Sequence, residues 1–166
     1  MGIVDTESLV TKMIAYYELI AEDREILFEK IGAFKAVLGD DSLLQRLFAN
    51  LISNAIYYSA SDSVITITAS TVTNSSVKYL EEKVQSTFKP HLKIVFTNQL
   101  EAPLTQIEVD KLSERFYRHH KNNTLHSGTG LGLSIVQAII SAHNGKMSIA
   151  VKNSYCFEVS IELPIY

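Results

Sequence analysis

The chain has 166 residues, of which 46% are hydrophobic and 20% charged, and a formal net charge of −3. That length suits one domain, which would bury about 70% of the surface its unfolded chain exposes, so disorder is excluded and no disulfide staple is needed. With 15 Lys plus Arg against 18 Asp plus Glu, nothing suggests the basic face that a nucleic-acid backbone requires.

The first residues carry neither a basic start nor a long apolar run, so no secretory signal is expected. Arg46, Asn50 and Asn54 interrupt the longest apolar candidate, Leu43 to Ile56, so no membrane span is expected either. Any anchor would lie outside these residues. The lone cysteine, Cys156, has no internal partner and reads as a buried, unreactive thiol, consistent with a reducing compartment.

Residues 1–5 read as a lead-in or linker. From Thr6 to Ala21 the residues Leu9, Val10, Met13, Ile14, Tyr17 and Ile20 recur at helical spacing, and Asp5 or Thr6 can cap a first amphipathic helix. Ile26–Ile31 and Phe34–Leu38, separated by Gly32, predict a hairpin. Asp40 or Asp41 opens a second helix that runs to about Tyr58. Val64–Thr68 and Leu92–Thr97 are rich in β-branched residues and predict strands. The polar stretch Asn74–Pro90 between them predicts a surface connection.

A short helix is expected at about Val109–Arg115, followed by the polar run His119–Ser127. An irregular stretch of that length is commonly a lid or binding loop. The run Gly128-Thr129-Gly130-Leu131-Gly132 opens a third main helix, Leu133–His143, which Asn144-Gly145 should end in a left-handed cap. Lys146–Val151 and Tyr155–Leu163 predict a closing pair of strands. Without regular βαβ alternation the pattern implies an α+β fold, a two-layer sandwich with about three main helices on one face of a mixed, largely antiparallel sheet.

Two patterns point to chemistry. In the second helix Leu44, Leu47, Phe48, Leu51, Ile52 and Ala55 fill one arc, and Asn50 and Asn54 stand four residues apart at its edge. Asparagine is a poor helix former. The pair reads either as two bridging amides or as neutral oxygen ligands of the kind Mg²⁺ accepts beside phosphate and water. The alternating glycines precede a helix start, where backbone amides and the helix dipole attract phosphate. Their spacing is neither that of a P-loop nor of a dinucleotide fingerprint.

Taken together, Asn50-Leu-Ile-Ser-Asn54-Ala-Ile-Tyr57-Tyr58-Ser59, Glu114-Arg115-Phe116-Tyr117-Arg118 and Gly128-Thr-Gly-Leu-Gly-Leu-Ser-Ile-Val136 resemble, in this order, the N box, F box and second glycine box of sensor histidine kinases. The resemblance spans about Leu9 to Pro164 and leans toward the heavy-metal sensor kinases. It implies a single catalytic and ATP-binding domain over 1–166, with the Bergerat fold that DNA gyrase shares and an ATP lid at about 105–127.

Carried over by position, the resemblance makes Asn54 the Mg²⁺ ligand and Asn50 a catalytic contact to metal-bound phosphate. Arg118 would approach the triphosphate, or stand solvated. Tyr57 would border the phosphates and Tyr58 the adenosine. Phe116 would anchor the lid's hinge; Tyr58 and Phe116 equally suit ordinary core positions. Gly128, Thr129, Gly130, Leu131, Gly132 and Leu133 would close past the phosphates.

The first glycine box departs from the family. Asn98 takes the position of its aspartate, and Gln99-Leu100-Glu101-Ala102 replaces its spaced glycines. Losing that charge should weaken a bond from the adenine amino group by about 1 kcal/mol. Side chains at Leu100 and Ala102 could crowd the base, and Glu101 is an alternative acceptor. Tyr57 stands where Lys or Arg is usual, for which Lys121, His119 or His120 could compensate.

The implied activity is transfer of the ATP γ-phosphoryl group to a histidine on a dimerisation and phosphotransfer domain, for relay to a response regulator. None of His91, His119, His120, His126 or His143 has the context of the family's acceptor. The implied setting is the cytoplasmic part of an inner-membrane sensor, without nucleic acid and without direct membrane contact by this segment. The eroded first glycine box leaves an alternative open, an interaction module that keeps the fold and binds nucleotide weakly or not at all. A serine-phosphorylating relative of the same fold is disfavoured by the F box.

Overall fold

The computed structural model describes residues 1–73, 89–112 and 132–166. Its first strand, β1 (Gly2–Val4), lies within the stretch expected as a lead-in and buries Val4. Three residues are too short for a periodicity to show. The Asp5 carboxylate accepts the Ser8 N–H and caps α1 (Thr6–Glu22), which buries Leu9, Val10 and Met13, as the helical spacing requires. β2 (Leu27–Gly32) and β3 (Val37–Gly39) follow.

These two strands do not form the expected hairpin. β3 pairs antiparallel with β1 in a separate two-stranded sheet, whereas β2 pairs in parallel with β4 (Val64–Val72). A parallel pair needs a crossover rather than a turn, and it is supplied through β3 and α2 (Asp41–Tyr58). Gly32 ends β2 at φ +92°, and a Cβ there would lie 2.0 Å from the Ala69 carbonyl oxygen. Its freedom serves a close strand contact, not a hairpin turn.

α2 is capped by Asp40, whose carboxylate accepts the Leu43 N–H at 2.9 Å. β4 extends past the expected Thr68 and pairs antiparallel with β5 (His91–Gln99). The connection expected before Pro90 falls, at 74–88, outside the described residues. α3 (Gln106–Lys111) starts earlier than expected, because Thr105 and Glu108 form a reciprocal capping box, a signal present in the sequence. α4 (Gly132–Ala142) is followed by β6 (Lys146–Lys152) and β7 (Cys156–Pro164).

Asn144, at φ 54°, is the left-handed residue that ends α4. The bonds Asn144 N–H to Ser141 and Gly145 N–H to Ile140 complete a Schellman motif. Gly145 is required for a different reason, since a Cβ there would lie 2.4 Å from the Glu162 carbonyl oxygen.

The main sheet runs β2-β4-β5-β7-β6, antiparallel except for its first pair. One face of its strands presents Ile65, Ile67, Leu92, Ile94, Phe96, Phe157, Val159, Ile161 and Leu163 to the core, and α2 packs against both α1 and α4. This is the expected α+β sandwich. Cys156 is half-buried rather than buried, because it opens β7 on the less covered register.

Gly32→Ala should lower stability by about 2 kcal/mol, since it combines left-handed strain with a backbone clash. Urea denaturation with an unchanged m-value reads this directly.

Candidate nucleotide site

The apolar arc of α2 is buried as its pattern requires, through Leu44, Leu47, Phe48, Leu51, Ile52, Ala55 and Ile56. Phe48 packs on Phe96 of β5 with ring centroids 6.3 Å apart. Asn50 and Asn54 are half-buried at the arc's edge. Asn50 Nδ2 donates to the Arg46 carbonyl at 2.8 Å, which leaves its Oδ1 as the presented group.

That edge faces the start of α4. A Cβ built on Gly132 would lie 3.0 Å from Asn54 Nδ2, 3.4 Å from Asn54 Oδ1 and 3.5 Å from Asn50 Oδ1. Three of the expected site residues therefore meet, and a side chain at Gly132 would press on the Asn54 amide. Leu133, next along α4, is buried in the core.

The far end of α2 is stitched to the far end of β5. Ser59 bridges to Leu100, the Ala60 N–H donates to Gln99, and the Glu101 N–H donates to Tyr58. Tyr57 and Tyr58 are half-buried on this last turn with rings 4.8 Å apart, edge to face. Asn98 is the last inward-facing residue of β5; it is 3% exposed, and its Nδ2 has no hydrogen-bond partner. An orphaned buried amide costs about 1–3 kcal/mol, which suits a position that a ligand completes.

The segment after Asn98 is better accommodated than its missing glycines suggest. Leu100 turns into the core, with its N–H held by the Tyr155 carbonyl at 2.7 Å. Glu101 is drawn instead to Arg24, 3.9 Å away, with its side chain 58% exposed. Asn98 is thus the buried polar group of this segment.

The sequence reading missed Arg24. Its guanidinium donates to the carbonyls of Ile56 and Ser59, satisfying the end of α2 and favouring the negative pole of the helix dipole. Only the fold brings it there, from the turn after α1. His143 is likewise structural: at 3% exposure, its Nε2 accepts the Asp40 N–H at 3.0 Å and its Nδ1–H faces the Ile139 carbonyl at 2.7 Å. It joins the end of α4 to the cap of α2.

Phe116, Arg118, His119, His120, Lys121, His126, Gly128, Thr129, Gly130 and Leu131 lie outside the described residues. Among the described residues there is no cluster of three or more His, Cys, Asp or Glu side chains that could hold a metal. A divalent cation here would rely on one or two amide oxygens and on phosphate, a set that suits Mg²⁺. No helix among the described residues is long and apolar enough to cross a membrane.

Paired amides on one helix, set against the glycine start of another over a mixed sheet, define a class. The chain belongs to the histidine kinase-, DNA gyrase B- and HSP90-like ATPases, whose family model matches residues 39–165. Within it, the chain is 36% identical over 148 residues to the sensor histidine kinase HprS of Escherichia coli (strain K12), covering 88% of this chain and 28% of HprS. It is 29% identical over 141 residues to the sensor histidine kinase CusS of the same organism, covering 84% of this chain and 26% of CusS. The chain thus spans under a third of the length of these relatives.

Among solved structures, the mycobacterial sensor histidine kinase MprB superposes with a TM-score of 0.72 at 23% identity, over 99% of this chain and 97% of that one. Full-length ShkA in complex with AMPPNP superposes with a TM-score of 0.73 at 17% identity, over 99% of this chain and 31% of that one. These two likenesses bear out the expected fold.

Arg24→Ala should destabilise the domain by about 1–2 kcal/mol, through the loss of charge-assisted bonds at a site that water partly screens. Arg24→Lys should recover only part of this, because one ammonium cannot reproduce the forked geometry. Thermal unfolding of the three proteins, with shifts of about 2–4 °C per kcal/mol at this size, checks both.

Proposed function

We propose that this chain is the ATP-binding catalytic part of a sensor histidine kinase. The observation that supports the reading is the meeting of Asn50 and Asn54 with Gly132, which brings both side-chain amides beside the start of α4. The triphosphate would lie at that helix start, attracted by its exposed amides. Asn54 would ligate Mg²⁺ and Asn50 would contact the metal-bound phosphate. Tyr57 would border the phosphates, Tyr58 would face the adenosine with its ring, and Asn98 would meet the base edge. Arg118, Phe116, Thr129, Leu131 and Leu133, with Gly128, Gly130 and Gly132, would complete the enclosure, as their motifs imply.

The reaction joins an acceptor imidazole nitrogen to the γ-phosphorus as the bond to the bridging β,γ-oxygen breaks, releasing ADP. Bound Mg²⁺ would supply charge neutralisation at the phosphate oxygens. The protein's part is positioning, so no nucleophile is required of it. The acceptor histidine would belong to a dimerisation and phosphotransfer domain, with a response regulator downstream. His143 does not suit the acceptor role, since its burial and both its contacts commit it to the scaffold. Dependence on ATP fits work on the cytoplasmic side of a membrane sensor.

Calorimetry with a non-hydrolysable ATP analogue, with and without Mg²⁺, tests the reading. Binding should depend on Mg²⁺, and Asn54→Ala should abolish that dependence together with phosphotransfer to an added dimerisation domain. Absence of heat at millimolar ligand would overturn it.

Gly132→Ala offers a finer probe, because its methyl would push the Asn54 amide by a few tenths of an ångström. Affinity for the Mg²⁺ complex should fall about fivefold, near 1 kcal/mol. Stability should hold or rise slightly, as alanine favours the helix.

A further inference from the structure

Among the described residues, Asn98 is the buried polar side chain left with an unpartnered atom. It occupies the last inward position of β5 at 3% exposure, with its Nδ2 unpartnered. Two anchors tie α2 to β5: Phe48 packs on Phe96, and Ser59, just past the helix, forms an antiparallel bridge to Leu100. Asn98 lies on β5 between these two anchors, as Asn54 lies between them on α2. Resting on the nucleotide reading above, this puts a side-chain amide, not a carboxylate, where the base would end.

A carboxamide carries a donor and an acceptor side by side, whereas a carboxylate only accepts. An adenine edge offers the 6-amino group as donor and N1 as acceptor. A hypoxanthine edge offers the reverse, with O6 accepting and N1–H donating. A half-turn of the Asn98 amide plane complements either edge with two hydrogen bonds, and no hydrogen bond to Nδ2 in the scaffold fixes one orientation. We infer that Asn98 is a specificity-determining residue that admits 6-oxopurine as well as 6-aminopurine nucleoside triphosphates to this site.

The test is calorimetric titration of the 166-residue chain, with Mg²⁺ present, against the β,γ-imido analogues of ATP and of inosine triphosphate. Inosine changes only the 6-position and N1 and adds no 2-amino group. The two affinities should agree within about fivefold. Asn98→Asp should shift the ratio toward adenine by about tenfold or more, because a carboxylate repels O6 and cannot donate to it. Should that variant not fold, the wild-type ratio decides alone. Adenine binding with inosine weaker by about fiftyfold or more, or a ratio unmoved in a folded Asn98→Asp, would overturn the inference and leave the nucleotide reading standing. Binding of neither analogue would overturn both.

Discussion

The packing of α2 along β5 governs everything else in this molecule. Phe48 against Phe96 sets the spacing of helix and strand, and the Ser59 to Leu100 bridge fixes their register at one end. Asn50 and Asn54 lie on the helix between those anchors, and Asn98 lies on the strand between them. A slip of one residue in β5 would turn Asn98 to the opposite face. Arg24 secures the same end from outside by occupying the carbonyls that α2 leaves open. The elements that carry these three amides are thus held by apolar contacts and backbone bonds.

The scaffold also shows where polar groups have been left undersatisfied and where they have not. His143 is as deeply buried as Asn98, yet both its ring nitrogens have partners, and the backbone of Gly39 runs close enough that a Cβ there would meet the imidazole at 2.9 Å. Asn98 has no such completion for its Nδ2. Two buried polar residues with opposite satisfaction, in one fold, mark His143 as structural and leave Asn98 as the candidate for ligand contact.

Much of this was legible in the residues. The heptad-like arc of α2 named its buried positions, because a helix that must cover a sheet needs a wide apolar stripe. The strand expected at Leu92–Thr97 formed too, but its extension to Gln99, which turns Asn98 inward with Leu92, Ile94 and Phe96, was not read. The pairing of β2 was not legible: Gly32 between two apolar runs looks alike whether the chain turns back or diverges, and only Ala69, 37 positions on, decides it. Arg24 was equally hidden, since a basic residue in a turn carries no mark of the carbonyls it will meet. The left-handed cap at Asn144-Gly145 was legible, though not which residue would adopt it. An Asn-Gly pair after a helix announces a left-handed residue, but which of the two adopts it depends on how closely a second strand, here at Glu162, approaches.

Glycine in this fold therefore serves proximity more than flexibility. At Gly32 and Gly145 the neighbour is a carbonyl of an adjoining strand, and the absent side chain lets the sheet and its caps close. At Gly132 the neighbour is instead a pair of side-chain amides that the core does not need. A close approach between backbones is explained by folding alone. At Gly132 an alanine would favour the helix and fill more space, yet its methyl would press on the Asn54 amide. What the glycine preserves is the place of the Asn54 amide beside Asn50, an arrangement that fits the proposed ligand, a phosphate chain with a divalent cation to balance it.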